Sequence, residues 1–392
     1  MKDRRYYKRN NIYFAFSASA THIFSRHLLI FLVIDAIIDE NRIGGDEMRH
    51  FDYIGLKNMT WDNEVINYLS LIHEYKGKQS IYMREKPSEL ERLVEIAKVQ
   101  STEASNSIEG IRTTETRLRQ LMSERTAPRN RDEKEIAGYR DALNIVHENF
   151  DYIPLTPNYI LQLHKILLSH TDSSFGGSFK NVQNYISATD AYGKHFTLFT
   201  PLAPYETPEA MQEICDEYNH AMGEGRVDPL LIIPVFIHDF LCIHPFLDGN
   251  GRMSRLLTTL LLYRAGYGIV KYISLEAKIA GNKDAYYSAL EDSQIGWPEQ
   301  QDDPTAFVKY LLSTIIAAYR DFDDRIQIVS PISLDTVKNA IESRLGKFTK
   351  KDILDLCPSL SASTVERHLK KLTAEGYITK HGAGKNTFYA KA

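Results

Sequence analysis

Cysteine is scarce in this chain. Only Cys215, Cys242 and Cys357 occur, far apart and without a CxxC pair. An odd number of widely spaced cysteines argues against a disulfide framework, and it offers no paired ligands for a structural zinc ion. This scarcity therefore predicts a protein of the reducing cytoplasm.

A long hydrophobic run is also absent. A basic start precedes a mostly apolar stretch at residues 13–38, but its clean apolar run, residues 28–34, is short. A membrane-spanning helix needs roughly 20 such residues. Residues 1–47 are therefore interpreted as an N-terminal extension, and a membrane partner is not predicted. Two alternatives stay open: the extension is a signal or anchor, or the natural chain starts at Met48.

The net charge is small as well. It is −4 for 392 residues, which points to no particular class of partner. The total conceals an asymmetry, because residues 330–392 carry +5, from eleven basic and six acidic side chains, so the remainder carries −9. The length exceeds that of one ordinary core, and two or three domains are expected.

Apolar residues at helical spacing dominate the sequence from residue 48 onwards. They predict a mainly α protein, with an N-terminal helical region at residues 48–125 and a core at residues 126–328. The core is interrupted by glycines and β-branched residues, which predict one β-hairpin with strands at residues 182–187 and 195–199.

The pattern changes near Pro331. Residues 329–392 predict three short helices and a hairpin, the element order of a winged helix-turn-helix domain. Thr349 is the expected cap of one helix, and Ser363 with Glu366 the expected capping box of the next.

Residues 244–255, HPFLDGNGRMSR, carry the predicted chemistry. An apolar helix ends just before them, a tight loop follows, and a new helix begins. Such a loop aims backbone N–H groups and the positive end of the helix dipole at one small volume, which favours an anion. Gly249 and Gly251 lack a Cβ atom, so a phosphate can approach closely.

Four side chains of this segment add to the predicted anion site. Arg252 and Arg255 are three residues apart, so they share a helix face and can hold a polyphosphate. Asp248 is a hard oxygen ligand suited to Mg²⁺. His244 lies at the start of the loop, and an imidazole there can take a proton from a hydroxyl. Together they predict phosphoryl or nucleotidyl transfer.

The same segment matches the Fic signature, HxFx(D/E)GNGRxxR, at every fixed position. Over roughly residues 90–326 the chain resembles the Fic family of protein adenylyltransferases. This resemblance implies transfer of AMP from Mg-ATP to a Ser, Thr or Tyr hydroxyl of a target protein or of the enzyme itself. It implies that His244 is the general base and that Asp248 binds Mg²⁺. The nucleotide site that it implies consists of Phe246, Gly249, Asn250, Gly251, Arg252, Arg255, Asn282, Tyr286 and Tyr287.

Two further parts of the site follow from the resemblance. In the family a flap hairpin pairs with the backbone of the target, and residues 184–199 resemble that flap, with His195–Phe199 expected to register the modified residue. Asn282, Tyr286 and Tyr287 lie where relatives contact the adenine, although tyrosines at helical spacing are commonly core residues.

A second motif precedes the first. Ser105, Glu109 and Gly110 match the Fic pattern (S/T)xxxE(G/N), and the first two are four residues apart on one helical face. The resemblance implies that Glu109 pairs with Arg255 and occupies the partner of the γ-phosphate, so that the enzyme is autoinhibited. The same glutamate could also position water for removal of AMP, and the reverse reaction stays open.

Other functions fit parts of the pattern. Some relatives transfer phosphate, UMP or phosphocholine, and many form dimers, so a homodimer is a further expectation. Arg367, Lys370 and Lys371 cluster on the predicted recognition helix, which suits DNA phosphates, although winged helices also serve protein contacts. The alternative class is a DNA-binding transcriptional regulator whose Fic domain only senses a nucleotide.

Overall fold

The computed structural model describes residues 49–85, 87–189, 195–329, 331–344, 346–358, 360–382, 384 and 387–391. It also describes two strands near the N-terminus, β1 (Arg5–Arg9) and β2 (Ile12–Phe16). The rest of the predicted extension, residues 1–47, lies outside the described residues.

The chain divides into two compact units, residues 1–319 and 320–392. The division falls inside the helix Thr305–Val329, whereas the sequence places the boundary at the end of this helix, between residues 328 and 329. A continuous helix carries no loop signal, so the sequence pattern gives no indication of a division within it.

Three helices form the N-terminal part of the first unit: α1 (Asn63–Glu85), α2 (Pro87–Ile108) and α3 (Glu115–Met122). The apolar residues of α2 recur at helical spacing and are buried, namely Leu90, Leu93, Ala97, Ala104 and Ile108. This stripe fixes which face of α2 is turned towards the core.

Side-chain caps also start the next two helices. α4 (Arg131–Asn149) is capped by Asn130 and α5 (Pro157–Leu167) by Thr156, and each cap accepts an N–H bond from the first turn. These caps satisfy N–H groups that have no partner within the helix. Helix α4 starts beside the segment that carries the predicted chemistry, since Nη2 of Arg131, its first residue, lies 3.7 Å from Oδ2 of Asp248.

The centre of the unit contains α6 (Thr207–Glu224), α7 (Pro229–Ile243) and α8 (Asn250–Arg264). Nearly every residue of α7 and α8 is buried. Helix α7 is almost entirely apolar, as expected of a helix buried on all sides, whereas α8 also buries polar side chains, among them Arg252 and Arg255. Asp228 caps α7, as the sequence predicts. The six residues between α7 and α8 form a loop that joins two buried helices. Both ends of this loop are therefore held in place by the core.

Three more helices complete the helical part: α9 (Leu275–Gly281), α10 (Lys283–Gln294) and α11 (Thr305–Val329). Short 3₁₀ helices occur at Gly55–Asn58, Phe150–Tyr152 and Gly268–Lys271. The prediction of a mainly α protein is confirmed.

The predicted hairpin has strands β3 (Ile186–Thr189) and β4 (His195–Phe199), which pair antiparallel. Strand β1 adds to the other edge of β3, so the four-stranded sheet has the order β2-β1-β3-β4. Residues 190–194, at the tip of the hairpin, lie outside the described residues.

The first strand of the hairpin starts later than predicted. Val182 is 58% exposed and precedes the strand, which begins at Ile186. Asn184 is buried instead, with its amide bonded to backbone outside the hairpin. A strand over residues 182–187 is therefore wrong, because the first of these residues follow an irregular path that places Asn184.

The second unit contains α12 (Pro331–Glu342), α13 (Lys350–Leu356) and α14 (Ala362–Ala374), followed by β5 (Ile378–His381) and β6 (Phe388–Lys391). Its core consists of apolar residues from all five elements, among them Val337, Ile353, Val365, Leu369, Leu372, Ile378 and Tyr389. The element order is the one predicted from the sequence, and the winged-helix interpretation stays a prediction.

One of the two predicted caps in this unit is wrong. Thr349 caps α13 with a full capping box, as expected. The cap of α14 is Ser361, which accepts the N–H of Thr364, and Ser363 lies inside the helix. Serines two residues apart offer the same capping chemistry, so the sequence pattern does not distinguish between them.

Within the described residues, no helix is long and apolar enough to cross a membrane. The three cysteines are buried free thiols.

Candidate active site

The loop of residues 244–249 has left-handed backbone at both ends. His244 ends α7 with φ 56°, and Gly249 precedes α8 with φ 83°. Glycine adopts this conformation freely, whereas a histidine there stores strain of about 1–3 kcal/mol. Such strain persists only where the surrounding structure imposes it, and it is common at functional sites.

The His244 imidazole is held in one tautomer. Its Nδ1 atom lies 3.0 Å from the carbonyl oxygen of Leu241, which can only accept, so Nδ1 carries the proton. Nε2 is therefore an acceptor, and it has no hydrogen-bond partner in the described part of the chain. His244 is 1% exposed and lines a cavity, so this acceptor is buried at a cavity wall.

Buried polar side chains hold the backbone of the loop. The Asn250 amide accepts the N–H of Phe246 at 2.9 Å and donates to its carbonyl at 2.7 Å. The Asn184 amide donates to the carbonyls of His244, at 3.2 Å, and of Phe246, at 3.0 Å. The Lys180 ammonium donates to the carbonyl just before His244, at 2.9 Å. These bonds fix the backbone that positions His244.

Phe246 differs from its predicted role. The resemblance implies a place in the nucleotide site, but its side chain is fully buried and stacks on the His164 ring, with the centroids 3.7 Å apart. The His164 imidazole lies between two backbone groups, with Nε2 3.0 Å from the Asp248 carbonyl and Nδ1 3.1 Å from the Gly177 N–H. Phe246 and His164 therefore support the loop from beneath.

Burial also lowers the pKa of His164 to about 4, because the interior disfavours the charged imidazolium. The unfolded chain binds a proton near the ordinary value of 6.5, and the folded chain does not until much lower pH. The stability that His164 contributes is therefore present above pH 6.5 and is lost as the pH falls towards 4.

We expect His164→Gln to reduce the loss of stability between about pH 7.5 and about pH 5 by about 2 kcal/mol. The measurement is urea unfolding of both proteins at the two pH values. His147 and His238 also have pKa values lowered to about 3 by burial, but both proteins retain them, so they cancel. Equal pH dependence of the two proteins would contradict a neutral, buried His164.

The first turn of α8 is occupied by a carboxylate. A Cβ atom on Gly251 would lie 2.1 Å from Oε1 of Glu109, so this oxygen sits directly over the glycine. The N-terminus of a helix attracts anions through its free N–H groups and its dipole. Glu109 therefore takes the place at α8 where the sequence predicts a phosphate.

The same carboxylate binds Arg255. Oε1 of Glu109 lies 2.9 Å from Nη2 of Arg255, and the Ser105 hydroxyl accepts from Nε of the same arginine at 2.8 Å. Burial alone would lower the pKa of the Arg255 guanidinium, but the neighbouring Glu109 charge outweighs it and raises the pKa. The structure thus contains the expected contact between Glu109 and Arg255, and Ser105 contacts the same arginine.

The backbone around Glu109 departs slightly from the prediction. Helix α2 ends at Ile108, and the Glu109 N–H bonds to the carbonyl of Asn106, three residues back rather than four. Gly110 follows with φ 84°, which is the usual way to end a helix. The Lys283 ammonium donates to the Ile108 carbonyl and so also holds this end of α2.

Arg252 lies on the other side of the helix start. It is 1% exposed, and its Nη1 lies 2.9 Å from Oε2 of Glu135 and its Nη2 3.4 Å from Oδ1 of Asp248. The contact with Glu135 is an ion pair whose N–H direction is poor for a hydrogen bond, and Nε and Nη1 have no acceptor among the described residues. Asp248 is 26% exposed, so its carboxylate faces the site.

A cavity joins these groups to the flap and to α10. Its walls include Glu109, His244, Gly251 and Arg255, with Ile186, Ser187 and Leu198 from the hairpin and Tyr286, Tyr287, Leu290, Glu291 and Gln294 from α10. The structure thus brings together the residues predicted as the base, as part of the anion site and as the inhibitor, with the two tyrosines beside them. Asn282 is exposed at the start of α10 and does not line this cavity.

Four residues near the site have no counterpart in the sequence prediction: Glu135, His164, Lys180 and Glu291. Glu291 lines the cavity, and burial raises the pKa of its carboxyl to about 7. A glutamate on a helix is normally exposed, so only its place in the cavity distinguishes it. His164 and Lys180 act through backbone carbonyls, which no side-chain pattern could have indicated.

Comparison with solved structures shows the fold. A Fic family protein from Desulfovibrio desulfuricans aligns with a TM-score of 0.58 at 19% identity, covering 85% of this chain and 97% of that one. A Fic domain containing signaling protein from Bacteroides thetaiotaomicron aligns with a TM-score of 0.53 at 24% identity, covering 66% of this chain and 95% of that one. The fold around the site is therefore the Fic fold.

Comparison of sequences finds similarity to one family. A model of the Fic/DOC family matches residues 154–262 of the chain. "Protein adenylyltransferase Fic" of Drosophila yakuba is 30% identical over 203 residues, 51% of this chain and 37% of that protein. "Protein adenylyltransferase fic-1" of Caenorhabditis elegans is 24% identical over 218 residues, 55% of this chain and 38% of that protein. The matched part thus spans well under half of these relatives.

Proposed function

We propose that the chain is an autoinhibited protein adenylyltransferase, which transfers AMP from Mg-ATP to a Ser, Thr or Tyr hydroxyl of a target protein or of itself. The observation that carries this proposal is the free Nε2 of His244, at the wall of a cavity that also contains Gly251 and Arg255. A proton acceptor next to an anion site is what attack of a hydroxyl on a phosphorus centre requires. The names of the relatives support the same reaction.

In this proposal His244 takes the proton of the target hydroxyl at Nε2. The hydroxyl oxygen forms a bond to the α-phosphorus of ATP, and the bond from that phosphorus to the bridging oxygen breaks, so pyrophosphate leaves. The bond from Nδ1 to Leu241 keeps Nε2 unprotonated and correctly oriented before the reaction. Arg252, Arg255 and the first N–H groups of α8 hold the phosphates.

Asp248 is the proposed ligand for the Mg²⁺ that accompanies ATP. Its carboxylate is partly exposed, and its Oδ2 atom lies 3.7 Å from Nη2 of Arg131, which is too long for a hydrogen bond. One carboxylate, together with phosphate oxygens and water, is a common ligand set for Mg²⁺. The ion would neutralise phosphate charge during transfer.

The test uses ATP labelled on either the α- or the γ-phosphorus, incubated with the Glu109→Gly variant. Protein-bound label from α-labelled ATP alone supports AMP transfer. Label from γ-labelled ATP would instead indicate phosphate transfer, and labelling by UTP or CDP-choline would indicate the other transfers known in the family. An absence of label in spite of ATP binding favours the nucleotide sensor. The target protein, a homodimer and a cytoplasmic location remain expectations of the proposal.

A second function is proposed for residues 320–392, namely DNA binding. Helix α14 buries Val365, Leu369 and Leu372 and leaves its basic residues, among them Lys370, on the exposed side. A helix with a buried apolar face and an exposed basic face suits insertion into a DNA groove beside phosphates. This function is compatible with AMP transfer, and on its own it would describe a transcriptional regulator.

We expect Lys370→Glu to weaken binding of the chain to a random-sequence DNA duplex by about tenfold and to reduce the salt dependence of binding. The measurement is fluorescence anisotropy of labelled duplex at several salt concentrations. Lys57→Glu, at an exposed lysine of the other unit, makes the same change of charge and serves as the control. If both variants bind like the parent chain, α14 is not a DNA-binding helix.

A further inference from the structure

Four charged side chains form a closed ring beside the start of α8. Arg131 lies 2.7 Å from Glu135, Glu135 lies 2.9 Å from Arg252, and Arg252 lies 3.4 Å from Asp248. The ring closes through Nη2 of Arg131, which is 3.7 Å from Oδ2 of Asp248. Arg131 and Glu135 belong to α4, outside the segment 244–255 and outside the matched residues 154–262.

The members of this ring differ in exposure. The side chains of Glu135 and Arg252 are 4% and 1% exposed, whereas that of Arg131 is 71% exposed. The inner pair is therefore fixed by burial. Arg131 is anchored to Glu135 through Nε, and its outer nitrogen reaches into the site at the rim.

An ordinary surface ion pair would not need this outer contact. Arg131 and Glu135 are four residues apart on one helix, a spacing that by itself is worth only about 0.3–0.5 kcal/mol. The approach of Arg131 to Asp248 joins that pair to the proposed magnesium ligand, 117 residues further along the chain. The pair is thus part of the site and not only of the helix surface.

Binding of a divalent cation at Asp248 would disturb the ring. The cation and the Arg131 guanidinium are both positive, and at a few ångströms they repel strongly in a partly buried site. The outer nitrogens of Arg131 must then find another anion, while Nε stays bound to Glu135. The nearest new anions are the phosphates that arrive with the cation, and a guanidinium binds phosphate oxygens well.

The geometry points to Arg131 as a further phosphate-binding residue, which exchanges Asp248 for the terminal phosphates of a nucleoside di- or triphosphate when a divalent cation is bound. This inference rests on the proposed function. It gives α4 a role in recognising the phosphates, and Glu135 the role of positioning both Arg131 and Arg252.

The test is calorimetric binding of ATP, ADP and AMP to Glu109→Gly, with and without the additional change Arg131→Gln. In the presence of Mg²⁺ we expect Arg131→Gln to weaken ATP and ADP binding by about tenfold, the loss of one charge-assisted contact. AMP binding should stay within about twofold, because AMP has no terminal phosphates. With a chelator in place of Mg²⁺, Arg131 stays on Asp248, and the effect on ATP should shrink to about twofold.

The control is Lys134→Gln in the same background. Lys134 is on the same helix, and its ammonium pairs with the exposed Asp172. The Lys134→Gln variant therefore loses the same charge as Arg131→Gln but leaves the ring intact. Equal ATP affinity in the Arg131 variant and its parent, or an equal loss for AMP, would overturn the inference. If Glu109→Gly itself does not bind Mg-ATP, the proposed function fails and this inference fails with it, whereas failure of Arg131→Gln alone leaves the proposed function intact.

Discussion

Replacing Glu109 with glycine is expected to raise the rate at which the chain adenylylates itself by about 10- to 100-fold. The expected range corresponds to a coupling free energy of about 1–3 kcal/mol between the inhibitory residue and productive nucleotide binding. The change removes one carboxylate that both fills the anion position at Gly251 and neutralises the charge of Arg255.

The physical reason is competition for one small volume. Oε1 of Glu109 lies where even a methyl group on Gly251 would not fit, so a phosphate cannot share that space. A bound phosphate would also face the negative charge of Glu109 without access to Arg255. Removing the carboxylate admits the phosphate and leaves a guanidinium ready to bind it.

The same substitution has a cost that provides a second readout. Removing one partner of a buried ion pair leaves Arg255 uncompensated and typically destabilises a protein by about 3–5 kcal/mol. Glu109→Gly should therefore unfold at a lower temperature than the wild type. Mg-ATP should restore more stability to the variant than to the wild type, because a ligand stabilises the state that it binds.

The measurement is a time course of intact mass with Mg-ATP. Glu103→Gly is the matched control, because Glu103 is an exposed glutamate on the same helix and its loss does not open the site. An unchanged rate in Glu109→Gly would show that Glu109 is not the inhibitor. If the variant instead loses the ability to release AMP from an already modified protein, Glu109 serves the reverse reaction.

The features of the site on which sequence and structure agree are local along the chain. His244, Gly249 and Gly251 follow from a helix end, a glycine loop and a helix start within twelve residues, and the structure keeps that order. The pairing of Glu109 with Arg255 spans 146 residues. It could be anticipated only through the resemblance of two motifs to one family, because helical spacing relates Glu109 to Ser105 but not to Arg255.

The supporting residues could not be predicted in this way. His164 and Asn184 act on the loop, and Glu135 on Arg252, across long stretches of chain, for example the 84 residues between His164 and Asp248. In the sequence they are one histidine of an amphipathic helix, one asparagine of a predicted strand and one glutamate of a polar helix face. Their roles depend on which helices pack together, and that is settled by the whole core. Phe246 shows the converse, because the side chain at this fixed motif position is buried against His164.

Replacing His244 with alanine in the Glu109→Gly background is expected to slow AMP transfer by about 10²- to 10⁴-fold, the usual contribution of a positioned general base. The affinity for Mg-ATP should stay within about twofold, because the proposed phosphate contacts come from α8 and its arginines. Such a split between turnover and binding is what distinguishes a base from a residue that merely shapes the site.

The backbone at His244 requires a second variant. Its φ of 56° is unfavourable for alanine, so a change in the loop could mimic the loss of a base. Asparagine tolerates this conformation better and cannot act as a base at neutral pH, so His244→Asn should lose activity to a similar extent while keeping the loop. His220→Ala, at an exposed histidine of α6, controls for the substitution itself.

The measurement is the initial rate of labelling, together with calorimetric ATP binding. If His244→Asn retains most of the activity, Nε2 is not the proton acceptor, and Glu291, whose raised pKa suits proton exchange near neutral pH in the same cavity, becomes the candidate base.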